Sequence, residues 1–265
     1  GKTIELITTG KPITLGLPAI AGVSISPETP SVGSILTCTW EGYTDADNDP
    51  DQSTVAWLVS VLSTVTPVLI VVLLWLVELF DSLTGHQLDR NGIRPLETDG
   101  LIGILFAPLL HSNWEHLMAN TGPALVLGFL MTLAGLSRFL FATAIIWIVG
   151  GFGTWLIGNV GAPSYRGVVV ETNHIGASGL IFGWLTFLIL FGFFTRTIWE
   201  IVIGVVVLFV YGSILLGVLP GTFGVSWQGH LSGALAGVLA AYLLSGPERK
   251  ARALRRPVQP PSLGR

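Results

Sequence analysis

Ser178 stands in the run Gly176-Ala177-Ser178-Gly179, and His230 stands three residues into an apolar stretch that begins at Trp227. A hydroxyl and an imidazole within reach of each other are the minimum apparatus of nucleophilic catalysis. The serine oxygen attacks a carbonyl carbon, and the imidazole takes its proton and passes it to the leaving group. A third polar set lies in "HSNWEHLMAN", His111 to Asn120, where His116 and Asn120 are four residues apart and so share one face of a helix. Taken singly, each of these groups also reads as an ordinary interhelical hydrogen-bonding residue. Together they demand a second explanation, because ionisable groups are costly inside a membrane and point to function there.

The elements that must position them are membrane helices. The chain has 265 residues, 51% hydrophobic and 11% charged, with a mean hydropathy of +0.71, whereas an ordinary soluble domain carries roughly 25% charged residues. Crossing the hydrocarbon takes about 20 mostly apolar residues. Six stretches come close: residues 55–79, 116–136, 139–157, 174–194, 198–219 and 227–244. Lipid offers backbone groups no partner, so each is expected to be a helix. The expected fold class is therefore an all-α polytopic membrane protein.

Charge sets the topology. The tail from Arg249 to Arg265 holds six basic residues, and placing it in the cytoplasm puts Arg138 and Arg196 there too, leaving Arg90, Arg94 and Arg166 outside. By the positive-inside rule both termini are cytoplasmic, and spans two, four and six enter from the outer face. Their first turns then lie at one depth, with span four opening at His174 and Ser178 about one turn in. Gly229, Gly233 and Gly237 on span six, and Gly179 and Gly183 on span four, form small-residue ridges that allow close backbone approach. The net charge of −3 hides an asymmetry, seven acids and two lysines in residues 1–54 against six basic residues in the tail, and charge here reports topology and not a nucleic-acid partner; the single Cys38 permits no internal disulfide.

Residues 1–54 differ from the rest, with seven acids, frequent Thr, Ser, Pro and Gly, and strand-like alternation in "GSILTCTWEGYT". They read as a β-like or irregular segment, and a truncated, processed or fused N-terminus explains its place before the helices. The acidic turn holding Asp45, Asp47, Asp49 and Asp51 has Pro50 where a calcium loop needs glycine, so a solvated turn is expected. Residues 81–100 form a long polar loop, and "LIGILFAPLL" after it is apolar but too short to cross, as an interfacial or re-entrant element would be.

"GASG" with Ser178, "GHLSGALAG" with His230, and "HSNWEHLMAN" with His111, His116 and Asn120 together resemble the three signatures of the rhomboid intramembrane serine proteases, in that family's order, over about residues 55–246. The resemblance is to prokaryotic six-span members. It implies a six-helix rhomboid-like bundle over 55–246, followed by a basic cytoplasmic tail over 247–265. It implies Ser178 as nucleophile and His230 as general base, a dyad without aspartate. His116 and Asn120, with the Ser178 amide, match the oxyanion hole; Phe182 matches an aromatic site that packs on the catalytic imidazole, as well as reading as a plain core residue. Gly176 and Gly179 leave room for a substrate backbone, and His111 matches a loop histidine with a structural part. The family's Trp-Arg pair ahead of the span-two histidines is absent here, which leaves the shape of the first loop open.

The implied function is a serine endopeptidase that cuts membrane-anchored proteins near the outer face of a bacterial plasma membrane, with no metal, organic cofactor or nucleic acid. Two alternatives stand beside it: a rhomboid-like protein that binds transmembrane helices without cutting them, and a transporter using the polar cluster as a pathway. The transporter predicts polar residues continuing through the inner half of the spans, whereas "GLIFGWLTFLILFGFF" after Ser178 offers one threonine.

Overall fold

A computed structural model describes residues 3–7, 23–26, 35–40, 52–133, 135–162, 164–165, 168–169, 172–221 and 224–255. The chain divides into two compact units, Gly1–Trp57 and Leu58–Arg265. In the first, strands β1 (Thr3–Ile7), β2 (Val23–Ser26) and β3 (Ile35–Trp40) pair antiparallel in the order β1-β3-β2. The acidic turn from Asp45 to Asp51 lies outside the described residues.

The second unit is helical apart from an antiparallel pair of short strands, Ser164–Tyr165 with Val168–Val169, and its first helix begins ahead of it, at Gln52. Six helices are long and apolar enough to cross a membrane among the described residues. They are α1 (Gln52–Leu83, apolar from Ser60), α2 (Trp114–Leu133), α3 (Leu136–Ile157), α4 (Ser178–Thr195), α5 (Ile198–Val218) and α6 (Trp227–Arg255, apolar to Pro247). The protein is a multi-pass membrane protein. Within α3, residues Ile146–Gly150 form a π turn, and the last residues of α5, Gly212–Val218, tighten into a 3-10 helix.

Helix α4 is the centre of the bundle. Its span is 67% buried, against 17% for α1 and 11% for α5, whose apolar residues such as Phe209 face outward. A helix apolar all round belongs in the interior, and the run Leu180 to Phe191 supplies more of the core than any other helix does. The glycine ridges fix how α6 meets it. A Cβ added at Gly233 would stand 2.0 Å from the Gly179 carbonyl oxygen, and one at Gly237 would stand 2.1 Å from that of Gly183. No larger residue fits at either position without separating the helices that carry Ser178 and His230.

The expected start of span four is corrected. Residues 174–177 are not helical: His174 pairs backbone to backbone with Ile93 in both directions at 3.0 Å, and Gly176 takes φ +118°, which only glycine adopts readily. Ser178 is therefore the first residue of α4 and not one turn inside it. The apolar segment after the first loop forms a short helical stretch, Asp99–Leu109, too short to span. Two indoles of α3 tie the loop down: Trp147 Nε1 donates to the Ile104 carbonyl at 2.7 Å, and Trp155 Nε1 donates to that of Glu97 at 2.8 Å.

Candidate functional site

Ser178 and His230 meet where α4 and α6 begin. His230 Nε2 lies 2.9 Å from Ser178 Oγ, and His230 Nδ1 lies 2.9 Å from the Gly217 carbonyl oxygen. A carbonyl can only accept, so Nδ1 carries the proton and Nε2 is left as the acceptor for the serine hydroxyl. A backbone carbonyl thus fixes the tautomer that an aspartate fixes in a triad. The ring is clamped as well as bonded. Phe182, 4% exposed, stacks on it with centroids 4.1 Å apart and planes 10° from parallel. Gly217 comes so close to both rings that an added Cβ would stand 2.9 Å from Phe182 Cζ and 3.2 Å from His230 Nδ1.

The start of α2 brings the remaining polar groups to the same level. Asn113 caps the helix, its Oδ1 accepting the His116 amide at 2.9 Å, and this sets the direction of the first turn. The Nε2 end of His116 lies against Gly176: a Cβ added there would stand 2.8 Å from His116 Nε2 and 3.7 Å from Ser178 Oγ. Asn120, one turn further in, is 6% exposed, and its Nδ2 has no hydrogen-bond partner among the described residues. A buried donor left unpaired costs about 1–3 kcal/mol. Asn120, His116, Phe182, Ser178 and His230 line one cavity of about 720 Å³.

His111 lies behind this arrangement. It is 1% exposed, packs edge-on against His116 with centroids 5.1 Å apart, and its Nε2 accepts the Ala177 amide in a long 3.5 Å contact. Burial, with the neighbouring His116 adding to it, pushes His111 down to about 4, so it is neutral and can accept. Gly179 sits on the α6 side, where an added Cβ would meet the Gly229 carbonyl at 3.4 Å.

One buried network carries no clear mark in the sequence. Ser226 Oγ accepts the Gly229 amide at 3.1 Å, capping α6 one turn before the base, and lies 2.6 Å from His174 Nδ1. His174 Nε2 is 3.1 Å from Thr172 Oγ1, whose own proton goes to Asn159 Oδ1 at 2.8 Å. Each hydroxyl has one proton to give, so Nε2 donates to Thr172 and Nδ1 accepts from Ser226. Neutral His174 satisfies every bond, and burial lowers its pKa in that direction. The segment leading into Ser178 and the helix carrying His230 are thereby joined by a side-chain bond. Ser226 is legible as a capping serine; its histidine partner is 52 residues away in the chain and is not.

Comparison with known proteins agrees with these features. A Rhomboid domain model matches residues 98–247. An uncharacterized protein of Mycobacterium tuberculosis (strain H37Rv) is 72% identical over 189 residues, 70% of this chain and 77% of its own length. An uncharacterized protein of Mycobacterium leprae is 60% identical over 202 residues, 75% of this chain and 77% of its own. A protein of Acanthamoeba polyphaga mimivirus provisionally named a rhomboid is 27% identical over 150 residues, 56% of this chain and 78% of its own. No solved structure matches the chain. With the matched domain covering more than half of its length and taking in Ser178, His230, His116 and Asn120, the chain belongs to the rhomboid family.

Proposed function

We propose that the protein is an intramembrane serine endopeptidase that cuts membrane-anchored proteins in or near their transmembrane helices. The observation that carries this reading is the 2.9 Å contact between Ser178 Oγ and a His230 ring whose other nitrogen is bonded to Gly217. A helix-binding protein without activity has no need of an oriented base.

In the reaction, Ser178 Oγ bonds to the scissile carbonyl carbon as its proton passes to His230 Nε2. The oxyanion is met by the first amides of α4, whose helix end favours negative charge, by Asn120 Nδ2 and by His116. Collapse breaks the C–N bond, and the amine leaves with the proton from Nε2. Water, deprotonated by the same nitrogen, then hydrolyses the acyl-enzyme. No step calls for a metal or a cofactor. We place the catalytic domain in residues 55–246, with both termini and the basic 247–265 tail in the cytoplasm and the cavity open to the outer face of the plasma membrane. With Lys2 and Lys11 of the N-terminal segment left out, eight basic residues on the one side against three on the other support that orientation.

The test is direct: purified protein is incubated in liposomes with a panel of labelled single-span proteins, and products are mapped by mass spectrometry. Cuts within or beside the apolar segment are expected, and a panel left intact by a folded protein would overturn the reading. A fluorophosphonate probe is expected to label Ser178 in the parent and at least tenfold more slowly in His230→Ala, because general-base assistance is worth about 10²–10⁴ in rate. Equal labelling of the two proteins would remove His230 from its role.

A further inference from the structure

Away from the dyad, the described residues bring together one set of mixed ligating groups. Asp81 lies near the end of α1, His86 follows it, and Asp89 sits in the 3-10 turn Leu88–Asn91; their ligating atoms all fall within 4.8 Å of one another. His86 Nδ1 is 3.6 Å from Asp81 Oδ2 and 3.7 Å from Asp89 Oδ2. These separations are too long for hydrogen bonds. They lie near the spacing of about 3.4 Å between two ligands of a tetrahedral ion bonded at about 2.1 Å.

Burial makes the cluster more than a chance meeting of charges. Asp81 is 1% exposed, and its Oδ2, the atom that faces His86, has no hydrogen-bond partner among the described residues. The same holds for Glu78 Oε2, on a residue also 1% exposed and three positions earlier on α1. Three carboxylates, from Glu78, Asp81 and Asp89, act on one another here, and His86 is the one base that acts on Glu78 and Asp89 with them. Carboxylates buried in this way need protons or a cation. The other oxygen of Asp81 is already committed, accepting the Leu88 amide at 2.7 Å, which aims Oδ2 at the cluster.

We propose that Asp81, His86 and Asp89 bind one divalent ion of the zinc class, with Glu78 behind them as a further carboxylate, and that this ion fastens the outer loop to α1. The imidazole selects against the hard cations calcium and magnesium, which take oxygen ligands, and a mixed nitrogen and oxygen set suits zinc. The site serves structure rather than chemistry. The Asp89 carbonyl accepts Asn173 Nδ2 at 2.7 Å, and the turn continues into Ile93, which pairs with His174. An ion holding Asp89 therefore also steadies the segment that leads to Gly176 and Ser178. This inference is independent of the proteolytic reading.

The test uses the full chain without a polyhistidine tag, in detergent, stripped with a chelator and then titrated with zinc chloride. Zinc retained after gel filtration is counted by elemental mass spectrometry, and Tm is measured with and without it. One zinc per chain and a raised Tm are expected for the parent. His86→Ala and Asp89→Asn are each expected to weaken retention by more than about tenfold, since even outer-shell losses cost that much. The His86 side chain is 42% exposed, so its removal leaves packing intact, and Asp89→Asn keeps the shape of the turn. A parent that retains no zinc overturns the site, as does full retention by both variants, which would place the ion on the histidines of the dyad cavity.

Discussion

Ser178→Ala is expected to abolish proteolysis altogether while lowering Tm by no more than a few degrees. The hydroxyl supplies the attacking oxygen, and nothing else among the groups lining the cavity replaces it: the nearest titratable partner, His230, is the base. Structurally the loss is small, because the 2.9 Å bond to His230 Nε2 is one hydrogen bond of net worth about 0.5–1.5 kcal/mol, and the ring stays held by Gly217 and Phe182. The measurement is cleavage of a single-span substrate over hours beside thermal unfolding of the same preparation. Product forming at the parent's cleavage site in the variant at a measurable fraction of the parent rate would sink Ser178 as nucleophile.

Asn120 has the second largest expected effect, and its two readings predict different numbers. As an oxyanion donor it stabilises charge that exists only in the transition state, and loss of one such donor costs about 10²–10³ in kcat. As an interhelical bond it would be worth about 0.6–2 kcal/mol of stability and nothing specific to the chemical step. Its Nδ2 is buried beside the cavity without a partner among the described residues, so the folded protein has no bond there to lose. Asn120→Ala is accordingly expected to lower kcat by about 10² or more, to leave KM within a few-fold, and to hold or slightly raise Tm, with a smaller kinetic loss for His116→Ala. A destabilised variant with normal turnover per folded molecule would return Asn120 to the scaffold.

Much of this site is legible before any coordinates. Six apolar runs can only be helices in lipid, and the ends expected for the third, fifth and sixth fall within a few residues of α3, α5 and the apolar part of α6. The glycine ridges point to the pairing of α4 with α6, because small residues spaced by four leave room for a backbone and for nothing larger. What escapes is carried by groups without a side-chain signature. The Gly217 carbonyl orients His230, yet every residue has a carbonyl. The start of α4 is misread because His174 and Ile175 are compatible with a helix by type, while the β-bridge to Ile93 depends on a residue 81 positions earlier. Likewise Asp81, His86 and Asp89 converge only because the chain reverses at Gly85 and His86, both with positive φ.

The bond from His230 Nδ1 to Gly217 joins the innermost chemistry to the outermost helix. Gly217 belongs to the final turns of α5, the span with the smallest share of its surface against protein. A residue's position is set by what surrounds it, and around α5 that is hydrocarbon. The acceptor that keeps the imidazole proton on Nδ1 is thus carried by the span that the rest of the protein covers least.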